Sequence, residues 1–307
     1  MKFSVWPHLS GKFTDLIDIC LKAEASGWDG IWIADHFMPN TGDQSTTLGP
    51  TSEAWTTLSA IAALVPRVRI GTLVTGNTYR SPAILAKMAA EVDGISNGRL
   101  VLGLGAGWQE NEHLAYGIEF SSVGGRLARL RESIQIIRSL LDEEFTSFSG
   151  KYYEITNAPL SPKPVQSHLP ILVGGGGEKV TLKITAMFAD EWNVWGSPEV
   201  LKQKGRILDQ HCEAIDRDPQ EIRRSAQALF FLSRDAAAVE RAKENATDRL
   251  IAGSPDEIVE VIAQYAEAGV DGEVSFLDAD GNPAVKEDGS SYTAEDMAAM
   301  LVAFGEG

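Results

Sequence analysis

Short apolar runs that stop abruptly at polar, aromatic or glycine residues recur along this chain, each followed by a stretch with helical spacing. Gly30–Ala34 (GIWIA) stops at Asp35 and His36, and Arg69–Thr75 (RIGTLVT) stops at Gly76 and Asn77. Arg99–Gly105 (RLVLGLG) runs into Ala106, Gly107 and Trp108, and Pro170–Val173 (PILV) runs into four glycines, Gly174 to Gly177. Continuous apolar runs of this length suit strands buried on both faces, and strands alternating with helices pair in parallel. Further runs begin near Lys2, Glu191, Arg224 and Gly272, which makes eight starts in all. Eight such units predict an α/β fold, a (β/α)8 TIM barrel whose strand ends open on one face. Residues distant in sequence then converge on one mouth.

The intervening stretches carry helix signals. Leu16, Ile17, Ile19, Cys20 and Ala23 form an apolar stripe that Gly27 can terminate. Ser81-Pro82 and Ser197-Pro198 offer an N-cap followed by a first-turn proline, and Ser254–Glu257 (SPDE) reads as a capping box. Two stretches break the rhythm. Met38–Thr51 is a polar loop after the second strand, and the segment 108–169 is too long for one crossover. The latter holds a helical stripe (Leu127, Leu130, Ile134, Ile137, Leu140, Leu141) and a hairpin pattern from Phe148 to Ile155. It is expected to be an insertion at the C-terminal face of the barrel, forming part of a pocket wall.

The chain has 307 residues, 44% of them hydrophobic, which fits a single domain spanning 1–307 with insertions. A formal net charge of −16 argues against nucleic acid or an anionic membrane as partner, since both need a basic footprint. No apolar run approaches the roughly 18 residues of a membrane span. The start MKFSVWP enters a strand without a signal-peptide core, and Cys20 and Cys212 suggest no disulfide framework. A reduced, cytoplasmic setting is expected.

His36 stands at a strand end, where an imidazole can donate hydrogen bonds, shuttle a proton or bind metal. The plainer alternative is a histidine satisfied by backbone. The five histidines (His8, His36, His113, His168, His211) show no H-x-H or H-E-x-x-H spacing, so no metal site is expected. Gly103–Gly107 resembles half a dinucleotide fingerprint without the third glycine, and reads better as backbone approaching a flat ligand. Gly174–Gly177, with Glu178 and Lys179 expected to open a helix, offers amides and a cation to a phosphate; the alternative is a flexible turn. Trp108 and Trp195 are placed to stack on a ring, while other tryptophans default to the core. Asp278–Asn282 reads as an acidic turn rather than a calcium loop.

Trp28–Phe37 (WDGIWIADHF), Gly103–Gly117 (GLGAGWQENEHLAYG), the Gly174–Gly177 turn and Ala189–Asn193 (ADEWN) together resemble the luciferase-like monooxygenase superfamily. More narrowly, they resemble its actinobacterial branch of coenzyme F420-dependent oxidoreductases. The resemblance covers nearly the whole chain and implies a TIM barrel, usually a homodimer, binding a flavin or deazaflavin at the strand ends. It implies His36 beside the reacting face of the ring, with Asp35 orienting that site. Thr72, Leu73, Val74 and Thr75 would form a third-strand bulge behind the ring, often with a non-prolyl cis peptide. Gly105, Ala106, Gly107 and Asn111 would border the ring and its side chain. Gly175, Gly176 and Gly177 would hold the phosphate. Some deazaflavin-dependent relatives carry a glutamate where this chain has Trp108, which leaves Glu110 or Glu112 as fallback proton donors. The implied activity is hydride transfer between coenzyme F420 and a small organic substrate. An FMN-dependent monooxygenase is the alternative, a non-catalytic flavin or deazaflavin carrier a lower one, and a metal-dependent hydrolase the last.

Overall fold

The computed structural model describes residues 1–40, 48–233, 235–244, 250–270 and 273–277. The acidic turn expected at Asp278–Asn282 and part of the polar loop, residues 41–47, lie outside them. The first half runs β1 (Lys2–Val5), α1 (Phe13–Ala25), β2 (Gly30–Ile33), α2 (Ala54–Leu64), β3 (Arg69–Thr72), β4 (Thr75–Gly76), α3 (Pro82–Ser96) and β5 (Leu100–Gly105). Next come α4 (Glu110–Ala115), α5 (Val123–Asp142) and the hairpin β6 (Phe145–Ser149) and β7 (Glu154–Pro159). The second half runs β8 (Ile171–Gly174), α6 (Thr181–Phe188), β9 (Glu191–Trp195), α7 (Pro198–Glu213), β10 (Arg223–Leu232), α8 (Ala236–Glu244), β11 (Leu250–Gly253), α9 (Pro255–Glu267) and β12 (Glu273–Leu277).

Strands start at Lys2, Gly30, Arg69, Leu100, Ile171, Glu191, Arg223 and Glu273, within one residue of the expected positions. They form one curled parallel sheet. β1 pairs with β2, β2 with β3, β3 with β5, β5 with β8, β8 with β9 and β9 with β10. β12 pairs with both β10 and β1. The short β11, which the sequence does not predict, pairs in parallel with the last residues of β10.

Period-two alternation sorts the side chains into layers. Ile31 and Ile33 of β2, Leu100, Leu102 and Leu104 of β5, and Ile171 and Val173 of β8 face the helices in one large core. Their neighbours Trp32, Val101 and Leu172 turn the other way and meet Leu73 inside the curl. The indole of Trp32 lies over Gly71, where an added Cβ would approach it within 2.5 Å. A separate cluster around Trp192, Leu182, Leu208 and Ile258 seats α6, α7 and α9.

Ser254 and Glu257 form the expected capping box on α9, and Ser197 accepts from the Val200 amide on α7. Ser81 holds the N-cap position of α3 ahead of Pro82, but its hydroxyl bonds no helix amide. The segment 108–169 divides. α5 is the crossover helix, and the β6–β7 hairpin lies along it. Ser139 of α5 bonds Thr146 at 2.9 Å, and Glu132 accepts from the amides of Lys151, Tyr152 and Tyr153 at the hairpin tip. The hairpin is therefore fastened to α5 at its base and at its tip. Its alternating side chains find their apolar partner in α5, which is nearer in the chain.

Candidate active site

β1 and β2 pair in parallel register, Ser4 opposite Gly30 and Val5 opposite Ile31, so the residues that follow them emerge side by side. His36 follows β2 and is buried. Its Nδ1 donates to Glu112 Oε1 at 2.8 Å, a carboxylate of α4 that arrives only after β3, β4 and β5 have passed. The other oxygen, Oε2, accepts the backbone amides of Phe37 at 2.7 Å and Met38 at 3.2 Å. The Tyr79 hydroxyl also donates to Oε1. Glu112 is fully buried, which acts to raise its pKa, yet the donors from His36, Tyr79 and Phe37 outweigh that and hold it below the ordinary carboxylate range. Burial and the Glu112 charge together push the Tyr79 phenol upward, so it stays protonated and donating. With Nδ1–H fixed by a carboxylate, the lone pair of His36 lies on Nε2, where the Asn40 amide approaches at 3.4 Å. Trp108 meets the imidazole edge-on, ring centroids 5.6 Å apart.

Asp35, one residue earlier, is also buried, but both its oxygens are occupied. Arg80 bonds Oδ2 at 2.6 Å and Oδ1 at 3.1 Å, reaches Glu53 with the same guanidinium, and lies over the Phe37 ring. Burial raises the Asp35 pKa against the pull of Arg80. Glu53 in turn caps α2 through the amides of Trp55 and Thr56. Asp35 is thus a fastening for the loops around His36.

The third strand is interrupted. Ile70 pairs with Leu100 and Gly71 with Val101, but Thr75 pairs with Leu104, one residue late. The extra residue forms a β-bulge at Leu73–Val74, as expected, and the peptide between them is cis. The bulge turns Val74 toward β5 and β8. Added Cβ atoms on Gly105 and Gly174 would come within 2.6 and 2.8 Å of its methyls, and one on Gly103 would overlap the Thr72 carbonyl oxygen. These glycines are the hollow that receives Val74. Below it, Thr72 and Thr75 hydroxyls bond each other at 2.8 Å, and the Trp55 indole donates to Thr75 at 3.0 Å. Asn77 follows on the β4 side, its amide bonded to the Gly105 carbonyl and its side-chain Nδ2 buried without a partner among the described residues.

Ala106 and Gly107 continue from β5, Gly107 with a φ of 78° that its missing side chain permits. Arg126 bonds the Gly107 carbonyl at 3.0 Å and covers Phe120. Asn111 accepts from the Glu112 amide at 2.8 Å. The glycine turn after β8 differs from expectation. Residues 178–180 form a turn, and α6 begins at Thr181, so Glu178 and Lys179 precede the helix. The Leu182 amide bonds back to the Gly177 carbonyl, which widens the entry. The nearby cation is Lys204 of α7, 2.8 Å from the Gly176 carbonyl, while Lys179 is exposed.

The fold therefore brings together His36, the Val74 bulge, Gly105–Gly107, Trp108 and Asn111. Of the two fallback glutamates, Glu112 proves to be the partner of His36. Sequence reasoning misses Arg80, Tyr79, Asn77 and Lys204. Only Asn77, directly after an apolar run, carries a sequence signal. Among the described residues, no group of three or more His, Cys, Asp or Glu side chains is arranged to hold a metal ion, and no helix is long and apolar enough to cross a membrane.

Known proteins resemble this chain. An F420-dependent glucose-6-phosphate dehydrogenase from Amycolatopsis mediterranei is 32% identical over 235 residues, 75% of this chain and 68% of its own. One from Kineococcus radiotolerans is 38% identical over 167 residues, 54% of this chain and 48% of its own. Among solved structures, an F420-dependent secondary alcohol dehydrogenase bound to an F420-acetone adduct superimposes with a TM-score of 0.82 at 20% identity, over 99% of each chain. EDTA monooxygenase from Chelativorans superimposes with a TM-score of 0.80 at 15% identity, over 99% of this chain and 94% of its own. The luciferase-like monooxygenase profile matches residues 1–251, the stretch that carries the His36 loop, the bulge and the glycine turn. The chain belongs to the luciferase-like monooxygenase family.

Proposed function

We propose that this protein is an oxidoreductase that moves a hydride between coenzyme F420 and a small organic substrate. The observation that carries the reading is His36, buried at a strand end with Nδ1–H fixed by Glu112 and Nε2 left as acceptor. The relatives named for F420 support the cofactor. The residues fit such a group. The bulge and Gly105–Gly107 offer a backbone surface for a flat ring, the buried Asn77 Nδ2 is a donor in want of an acceptor, and Gly174–Gly177 with Lys204 would hold a phosphate. Bound there, a deazaflavin supplies the carbon that gives or takes the hydride. The chain's part is to orient it, exclude water and offer the His36 Nε2 lone pair to the substrate's proton.

The same reading takes the chain as a single domain in which the eight parallel strands close into a (β/α)8 barrel, supported by the pairings of β12 with β1 and β10. It also expects a homodimer in the cytoplasm. A second reading, an FMN-dependent monooxygenase, is favoured by the likeness to EDTA monooxygenase. Spectral titration of the purified protein with F420 and with FMN separates the two. Tight binding of F420 and turnover without oxygen uptake support our proposal; preference for FMN with oxygen consumption overturns it.

A further inference from the structure

His8 has the same place on β1 that His36 has on β2. Each lies three residues past the last residue of its strand, Val5 or Ile33, and these two strands are hydrogen-bonded neighbours. The His8 ring is held from behind. The Ser10 backbone amide reaches Nδ1 at 3.1 Å and the Ser10 hydroxyl lies 2.6 Å from it. A backbone N–H can only donate, so Nδ1 carries the lone pair and the proton sits on Nε2. Among the described residues, Nε2 has no hydrogen-bond partner. His36 has the opposite tautomer, protonated on Nδ1 toward Glu112. The two rings thus present one donor and one acceptor.

We propose that His8 is a second substrate-binding residue, donating from Nε2–H to the same substrate oxygen whose proton His36 Nε2 accepts. The substrate is then a neutral alcohol, or the matching ketone in reverse. Its surroundings agree. Trp6, two residues before His8, meets Trp195 at 5.6 Å between ring centroids and packs on the apolar interior around Leu73 and Val74. Arg80, the cation beside His36, is committed to Asp35 and Glu53. Burial, the largest cause, lowers the His8 pKa, which keeps the ring neutral and donating. In the oxidising direction the substrate C–H bond breaks and its electron pair leaves as hydride to the oxidised deazaflavin. The O–H proton passes to His36 Nε2, the C=O bond forms, and His8 keeps its proton throughout.

The turnover part of this inference rests on the F420 reading, but the tautomers do not. Nitrogen-15 NMR of histidine-labelled protein without cofactor is expected to show His8 protonated at Nε2 and His36 at Nδ1. The reverse tautomer at either ring overturns the proposal. With F420 and 2-propanol, His8→Phe is expected to raise KM about tenfold, the loss of one hydrogen bond, with F420 affinity unchanged. His8→Gln, which keeps a donor, is expected to recover most of it. An unchanged KM in His8→Phe, or a higher kcat/KM for glucose 6-phosphate than for neutral alcohols, overturns the proposal. Preference for FMN would sink the functional reading, whereas the NMR spectrum still decides whether the two rings form a donor–acceptor pair.

Discussion

Glu112 holds His36 by Nδ1 at 2.8 Å across 76 positions of the chain. The same carboxylate ties down the next two amides, Phe37 and Met38, so ring orientation and loop conformation depend on one side chain. Glu112→Gln would set an amide NH2 against some of these four donors. We expect kcat to fall on the order of 10- to 100-fold, a part of what a positioned acid–base group contributes, with F420 affinity little changed. Steady-state kinetics beside a fluorescence titration of F420 checks the split. Loss of cofactor binding with unchanged kcat would refute it.

Asp35 and Glu53 share Arg80 but differ in burial, Asp35 having a side-chain exposure of 0% and Glu53 37%. Removing Asp35 leaves a largely buried guanidinium half-compensated. Asp35→Ala is expected to cost about 3–5 kcal/mol, the usual penalty for orphaning one member of a buried pair. Glu53→Ala loses mainly its N-cap bonds, about 1 kcal/mol. Urea denaturation of both variants measures the difference, and equal costs would contradict it.

The strands are legible in the sequence because residues such as Gly30–Ile33 and Leu100–Gly105 are buried on both faces and leave no polar alternation to confuse them. Capping chemistry is equally local, hence the capping box at Ser254. The partnerships of the site are not local. Nothing in the spacing of Gly103–Gly117 says that α4 turns Glu112, rather than Glu110, under His36; the curl of the sheet decides that. Arg80 follows a different strand from Asp35 and meets it only across the mouth. The pattern from Phe148 to Ile155 does make a hairpin, with those two residues opposite each other, but an amphipathic pattern does not say which surface it will cover. The glycines are ambiguous for a further reason. A missing side chain looks the same whether a ligand or Val74 fills the space.

That ambiguity can be resolved by a double-mutant cycle. An added methyl at Gly105 would sit 2.6 Å from Val74 Cγ2. Gly105→Ala is expected to cost about 1–3 kcal/mol alone. In a Val74→Ala background the clash is gone, and the cost is expected to fall by more than half. Urea unfolding of the four proteins gives the coupling. Strict additivity would mean that Val74 is not what the glycine accommodates.

Lys204 and Lys179 make opposite predictions for the glycine turn. Lys204 donates to the Gly176 carbonyl and pairs with the Glu178 carboxylate at 3.5 Å, which leaves one N–H for an anion, whereas Lys179 stands in solvent. Lys204→Met is expected to weaken F420 binding about tenfold and to lessen its salt dependence. Lys179→Met is expected to stay within about twofold. Fluorescence titrations at low and high salt discriminate between them, and the reverse order would return the role to Lys179.

His113 gives the fold an acid-sensitive joint. It is fully buried, its Nδ1 donating to the Gln109 carbonyl at 2.6 Å and its Nε2 facing the Thr78 hydroxyl at 2.6 Å. Burial holds its pKa below the usual 6.5. The folded protein therefore binds this proton less readily than the unfolded chain. Stability from His113 is complete above pH 6.5, declines as pH falls below it, and levels off at the lower folded value. The slope is at most about 1.4 kcal/mol per pH unit for one group. His8, also lowered, adds in the same direction, while Glu112 and Glu53, held below 4.5, lose their contribution only at more acidic pH. Urea midpoints followed downward from neutral pH are expected to decline in wild type and more shallowly in His113→Gln, and flatter still when His8→Gln is added. An equal decline in all three would mean that neither histidine supplies the linkage.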